Sequence, residues 1–202
     1  MRRTHSEITD PQKIHKILSS ARIGRLATSG EDGYPYITAV NFVRLKQNIY
    51  FHCAPEGEKL ENIKRDPRVC FEVDLPLAYL DMDFDRTRPV CHLQQFYCSV
   101  IIRGTAAVVQ EDSLKIQALN ALIQKHEGSA KFEPIRKDMP GYKSCKVIEI
   151  RPVSTTAKAN LAQKKTQDER QAIAEYLYRR GLPGDRETVE AMGVVFDNTP
   201  MD

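Results

Sequence analysis

No stretch of this sequence stays apolar long enough to cross a bilayer. The first ten residues, MRRTHSEITD, carry two arginines with no hydrophobic segment behind them, so a secretory leader is not expected. An excess of one charge is missing too. Thirty Lys and Arg face 27 Asp and Glu for a formal net charge of +3. Residues 1–155 carry 23 basic and 19 acidic side chains, and residues 156–202 carry 7 and 8. This excludes a basic tail and a general polyanion binder, and nucleic acid is not an expected partner. The five cysteines are an odd count without a CxxC pair, which argues against a disulfide framework and a zinc site. Cys91-His92, with Cys98 and Cys145, therefore reads as incidental thiols around a histidine. Asp81-Met-Asp-Phe-Asp85 starts like a calcium loop, but Arg86 stands where the loop needs Gly and His92 where it needs Glu. GxSxG, Walker and GxGxxG motifs are absent, and tryptophan is absent altogether. The expectation is a soluble, cytoplasmic protein with reduced cysteines and no metal.

What is present is ordinary globular composition, 41% hydrophobic and 28% charged, in a chain long enough for one domain with an appendage. Asp10-Pro11 reads as the cap and first residue of a helix with Ile14, Ile17 and Leu18 on one stripe. RLATS, a turn at Asp32-Gly33, a strand from Tyr34 to Val43, a turn at Gln47-Asn48 and the strand IYFHC form an antiparallel meander. A short helix with Leu60 and Ile63 on one face ends at Asp66-Pro67, and RVCFEVD follows as a strand. Residues 75–92 read as irregular. Gln95 to Gln110 is a long strand whose Gly104 marks a bulge or bend, and Asp112 opens a helix ending at Gly128. KVIEIRP alternates as the last strand, and the core pattern stops near Pro152. Beyond a polar connector, a helix with Ile173, Ala174, Leu177 and Tyr178 as its stripe ends at Gly181, and a weaker one spans roughly 185–192. Six strands with few parallel crossovers predict a mainly β, α+β small antiparallel barrel, residues 1–155, with a helical extension, residues 156–202.

The stretch richest in chemistry is Tyr50-Phe-His-Cys-Ala-Pro-Glu-Gly-Glu-Lys59, a strand feeding a glycine loop and a helix. Amides at a helix start attract anions, and Gly57 allows close approach of backbone. Lys59 in the first turn opposes the helix dipole, which a bound phosphate would offset; the alternative is a solvated lysine in an ordinary turn. His52 lies beside this loop on the opposite face from Phe51, where a structural role competes with a protonic one.

Arg-Leu-Ala-Thr (25–28), Asp-Gly-Tyr-Pro-Tyr (32–36), Ala-Val-Asn-Phe (39–42), Tyr-Phe-His-Cys-Ala (50–54), Glu-Gly-Glu-Lys (56–59) and Asp-Pro-Arg-Val-Cys-Phe-Glu-Val (66–73) follow one another at close spacing. In that order they resemble the pyridoxamine-phosphate-oxidase-like flavin-binding split barrels, most closely the NimA-like nitroimidazole-resistance branch. The resemblance covers residues 1 to about 153. It implies a six-stranded split barrel that dimerises with FMN at the subunit interface. Thr38, Ala39, Val40, Asn41 and Phe42 would lie along the isoalloxazine ring; His52, Cys53 and Ala54 would face the ribityl chain, with Lys59 on the phosphate. Tyr97, Ser99 and Val100 would contact the partner's cofactor, and His52 is the candidate catalytic residue. The sequence departs from the oxidase proper, which pairs basic residues where Glu58 and Lys59 stand and carries a C-terminal Trp and an Arg-rich substrate motif. An FMN-dependent oxidoreductase of unknown small-molecule substrate is therefore expected. Lys158 to Arg170 is similar to the K-x-x-Q-N-K-x-x-x-D-R segment of PaiB-like regulators of the same superfamily. This keeps a non-catalytic flavin or heme sensor or regulator as the alternative function, and FAD or heme as alternative cofactors.

Overall fold

The computed structural model describes residues 4–87 and 89–194. Seven strands form one mainly antiparallel sheet in the order β2-β1-β5-β6-β7-β4-β3. They are β1 (Ile23–Ser29), β2 (Pro35–Asn41), β3 (Val43–Leu45), β4 (Asn48–Cys53), β5 (Arg68–Leu80), β6 (Gln94–Val108) and β7 (Lys146–Asn160). Among the described residues there are six α-helices: α1 (Pro11–Ser20), α2 (Glu58–Arg65), α3 (Asp112–Glu127), α4 (Pro140–Lys143), α5 (Gln167–Arg180) and α6 (Asp185–Met192). The α+β class agrees with expectation, but the strand count is seven, not six. The run from Tyr34 to Val43 is two strands, because the chain changes pairing partner at the fully buried Phe42: β2 pairs with β1, and β3 pairs with β4. Among the described residues no helix is long and apolar enough to cross a membrane.

The described residues divide into two compact units, and β5, β6 and β7 contribute to both. The first holds residues 9–74 and 100–156. Here α1 starts as its sequence dictates, with the Asp10 carboxylate accepting from the Gln12 amide at 2.8 Å. Leu26, Phe42, Ile49, Phe51, Phe71, Ile148 and Ile150 are fully buried, and Phe42 meets Phe71 edge to face at 5.0 Å. Helix α3 seals Val43, Tyr50 and Val147 with Ala118, Leu119 and Leu122. KVIEIRP does not simply alternate: Glu149 is buried beside its apolar neighbours, because it accepts from Tyr50 Oη (2.6 Å) and Asn48 Nδ2 (2.8 Å) and pairs with Arg151.

Gly104 is explained by close approach. A Cβ there would stand 2.3 Å from the Arg151 carbonyl oxygen, which belongs to backbone and cannot swing aside. Gly104→Ala is expected to lower stability by about 3 kcal/mol, seen as a lower urea midpoint at unchanged slope.

The second unit holds described residues 4–8, 75–87, 89–99 and 157–194. Two stretches read as non-strand continue as strand here: β5 runs to Leu80 and β7 to Asn160. Their buried residues are Ala78, Leu80, Ala157 and Ala159, and the alanines are too small to show a strong apolar alternation in sequence. Ala78 and Leu80 pack with Ile173, Ala174, Leu177 and Val189 of α5 and α6. Tyr178 is 52% exposed, and the aromatic that packs with Ile173, Ala174 and Leu177 is instead Tyr176, whose hydroxyl donates to Asp81 at 2.6 Å. A capping box between Thr166 and Glu169 starts α5, and Gly181 ends it in the left-handed region at φ 64°.

Candidate functional site

Strand β2 is the end strand of the sheet. Its inner edge pairs with β1 from Ser29↔Pro35 to Ile23↔Asn41, and among the described residues no strand pairs with its outer edge. The outer N–H and C=O groups are therefore available to a planar polar ligand, as any unpaired strand edge is. Along β2, Ile37, Ala39 and Asn41 are exposed, while Thr38 and Val40 turn toward the interior. Thr38 Oγ1 is buried with no hydrogen-bond partner, which is costly unless something occupies it.

The loop after β4 and the start of α2 hold Gly57 and Lys59, the residues expected to meet an anion. Gly57 adopts φ 129°, a conformation open to glycine, and its carbonyl accepts from Leu60 (2.8 Å) and Glu61 (3.3 Å) to start α2. Helix α2 is tied down by Asn62, which no motif marks in the sequence. It is 1% exposed, donates to Thr28 Oγ1 at 3.1 Å and accepts from Arg65 at 2.9 Å. Lys59 is half-buried with its ammonium 5.7 Å from the Phe51 ring centroid. Burial pushes the neighbouring Cys53 thiol up, Lys59 acts against that shift, and Cys145 adds to it. Cys53 is thus a protonated thiol rather than a reactive thiolate.

Asn41 and His52 come together on one cavity of about 450 Å³, lined also by Leu119, Leu122 and His126 of α3 and by Tyr142 and Cys145. His126 has no motif around it and was invisible in sequence except as a helical position beside the apolar stripe. Its pKa is lowered by burial, then by the charges of Lys125 and Arg22, while a hydrogen bond with the Phe42 backbone opposes this. The neutral ring leaves Nε2 buried without a partner. The far wall is held by Lys115, which donates to the Tyr142 and Cys145 carbonyl oxygens at 2.6 and 2.8 Å. The Tyr142 hydroxyl donates to Asp112, and burial with that bond pushes its pKa up to about 12.

Residues 10–159 match the family model described as pyridoxamine 5'-phosphate oxidase. The chain belongs to the pyridoxamine 5'-phosphate oxidase family. Among solved structures it is similar to a protein of Bacteroides thetaiotaomicron described as a 5-nitroimidazole antibiotic resistance protein (24% identity, TM-score 0.64, covering 76% of this chain and 86% of that one). It is also similar to an FAD- and heme-binding protein of Mycobacterium smegmatis (17%, 0.66, 83% and 79%) and to a flavocytochrome of Azotobacter vinelandii (16%, 0.64, 82% and 74%). At these identities the likeness is one of fold. No curated protein matches the chain.

The remaining residues expected of this pyridoxamine 5'-phosphate oxidase family member are placed as follows. Phe42 is fully buried beneath the Lys125 ammonium, 3.6 Å from its ring centroid, so only its backbone is free to face a ligand. Ala54 is exposed in the loop after β4. Ser99 and Val100 are 7% and 1% exposed, and Tyr97 lines a different cavity, in the second unit. Among the described residues no group of three His, Cys, Asp or Glu side chains is arranged to hold a metal. Cys91 is exposed, and the His92 side chain lies outside the described residues.

Proposed function

We propose that this family member is a flavin-binding protein, that the flavin is FMN, and that it works as an FMN-dependent oxidoreductase on a small molecule. The carrying observation is the free outer edge of β2 beside the cavity of Asn41 and His52. A flavin ring presents a fixed row of carbonyls and ring nitrogens that an unpaired strand edge can match. Thr38 supplies a buried hydroxyl still in need of a partner, and Lys59 with the Gly57 loop supplies the positive pole for a phosphate. This donor set fits the group. When bound, a flavin supplies the electron transfer, and the protein's part is position and electrostatics. Residues 38–42 orient the ring, His52 serves as the proton donor at the cavity, and His126 accepts a hydrogen bond from a substrate N–H or O–H. Leu119, Leu122 and Ile123 of α3 give that cavity an apolar wall. We further propose a cytoplasmic homodimer in which Tyr97, Ser99 and Val100 of one copy complete the cofactor site of the other.

A second reading has one observation of its own. Two imidazoles, His52 and His126, line an apolar cavity, and a neutral Nε2 without a partner is a ligand for heme iron as much as a substrate acceptor.

The visible spectrum of the purified protein, before and after FMN addition and desalting, tests both. Retained flavin bands support the first reading, and a Soret band turns it to heme. A colourless protein that releases added FMN overturns both. Lys59→Ala is expected to weaken FMN at least tenfold, since it removes a charge-assisted contact to phosphate, and unchanged affinity removes Lys59 from the site. Reduction by a nicotinamide donor with reoxidation by an acceptor separates an enzyme from a sensor.

A further inference from the structure

We propose that the unit formed by described residues 4–8, 75–87, 89–99 and 157–194 carries a binding site for a nucleoside diphosphate. This goes beyond the flavin reading and does not rest on it, although the two share Tyr97. The unit holds a cavity of about 760 Å³ whose lining includes Tyr97, Lys158, Asn160, Lys164, Lys165 and Glu169. Three lysines meet one carboxylate there. Lys165 is paired with Glu169 at 2.7 Å, whereas Lys158 meets only the face of Tyr97, 5.2 Å from its centroid, as a side-chain partner. Lys164 has no hydrogen bond or ion pair among the described residues. A cavity with two uncompensated ammonium groups favours an anion, and lysine suits phosphate as a rotatable point charge.

Two features make the cavity more than a solvated patch. The loop that presents Lys164 and Lys165 is held in an unusual conformation: Ala162 has φ 58°, a left-handed geometry costly for a residue with a Cβ. Gln163 locks it from both ends, donating to the Ala159 carbonyl oxygen and accepting from the Leu161 amide, each at 2.7 Å. The lysines are therefore displayed from a fixed turn. In addition, the cavity is far larger than a phosphate and lies within the range of nucleotide-sized clefts. The cavity also contains an aromatic ring, Tyr97, with Lys158 on its face, and an amide pair, Gln94 donating to Asn160 at 3.0 Å, groups of the kind that accept a base by stacking and by edge hydrogen bonds.

The test is calorimetric titration of the full chain with ADP, inorganic pyrophosphate and adenosine. ADP is expected to bind most tightly, pyrophosphate more weakly and adenosine below detection. Lys158→Gln and Lys164→Gln are each expected to weaken ADP about tenfold. Glu169→Gln keeps the capping-box contact to the Thr166 amide but frees Lys165, so ADP is expected to bind severalfold more tightly. A merely structural role for these residues does not predict opposite signs. The proposal is overturned if ADP does not bind, if the three variants leave its affinity unchanged, or if pyrophosphate binds as tightly as ADP. Flavin retention by Lys164→Gln, read from its absorption spectrum, is expected to match the parent protein, so either reading can fail without the other.

Discussion

Arg180→Met is expected to lower the free energy of unfolding by about 3–5 kcal/mol. Asp185 is completely buried, and Arg180 keeps only 14% of its side chain exposed. The guanidinium donates to both Asp185 oxygens, at 3.0 and 2.6 Å, and to the Tyr79 carbonyl oxygen at 3.0 Å, and it also pairs with Asp81. Asp185 Oδ2, the oxygen at 3.0 Å, also accepts from the Leu182 amide at 2.8 Å, where the chain turns from α5 into α6. Burying a carboxylate is tolerable only while these donors surround it. Methionine fills much of the arginine's volume but leaves the charge stranded. The double variant Arg180→Met, Asp185→Asn is expected to recover much of the loss, because asparagine still accepts from Leu182 without a charge to desolvate. Urea unfolding followed by far-ultraviolet circular dichroism reads both. Equal losses in the single and double variants would show that packing, not charge, holds this corner.

That network also marks a boundary of what the sequence discloses. Helices α5 and α6 were legible because their apolar spacing and their glycine ends are local signals, and Gly181 behaves as such a stop requires. The partners of Arg180 were not. Asp81 lies about a hundred positions away, in a stretch read as irregular because Pro76 and scattered charges hide the strand. The same physics explains the site. Gly57, Lys59 and His52 stand within a few residues of one another and could be picked out by chemistry. His126, Cys145 and Tyr142 reach the same cavity only through the packing of α3 on β3 and β4. Thr38 was singled out only through the family resemblance, and that its hydroxyl is left without a partner is a property of burial, which no spacing encodes.

Lys125 provides the second large effect, and its signature is pH. Its ammonium donates to the Leu18 carbonyl oxygen at 3.1 Å and lies over Phe42, and its charge, like that of Arg22, acts on His126. Burial lowers its pKa from 10.5 to about 8. Between those values the unfolded chain holds the proton and the folded chain has released it, so this residue makes stability rise with pH across that window. Below pH 8 both states are charged and the full burial penalty is felt. The ring face of Phe42 and residual water at a half-buried amine reduce that penalty from the roughly 3 kcal/mol that the shift alone implies. Lys125→Met is therefore expected to stabilise the protein by about 1–2 kcal/mol at pH 7, and the gain should shrink toward zero as the pH approaches 10.5. Other lysines and tyrosines titrate in the same range, so the informative quantity is the difference between variant and parent, measured by urea unfolding at each pH. A gain constant across the range would mean that methionine merely packs better. The charge also bears on the cavity, because Lys125 is one of the two cations that hold the adjacent His126 neutral. Its removal should raise the His126 pKa, visible as a shift in the proton NMR titration of that ring, and so alter an acceptor that α3 contributes to the cavity.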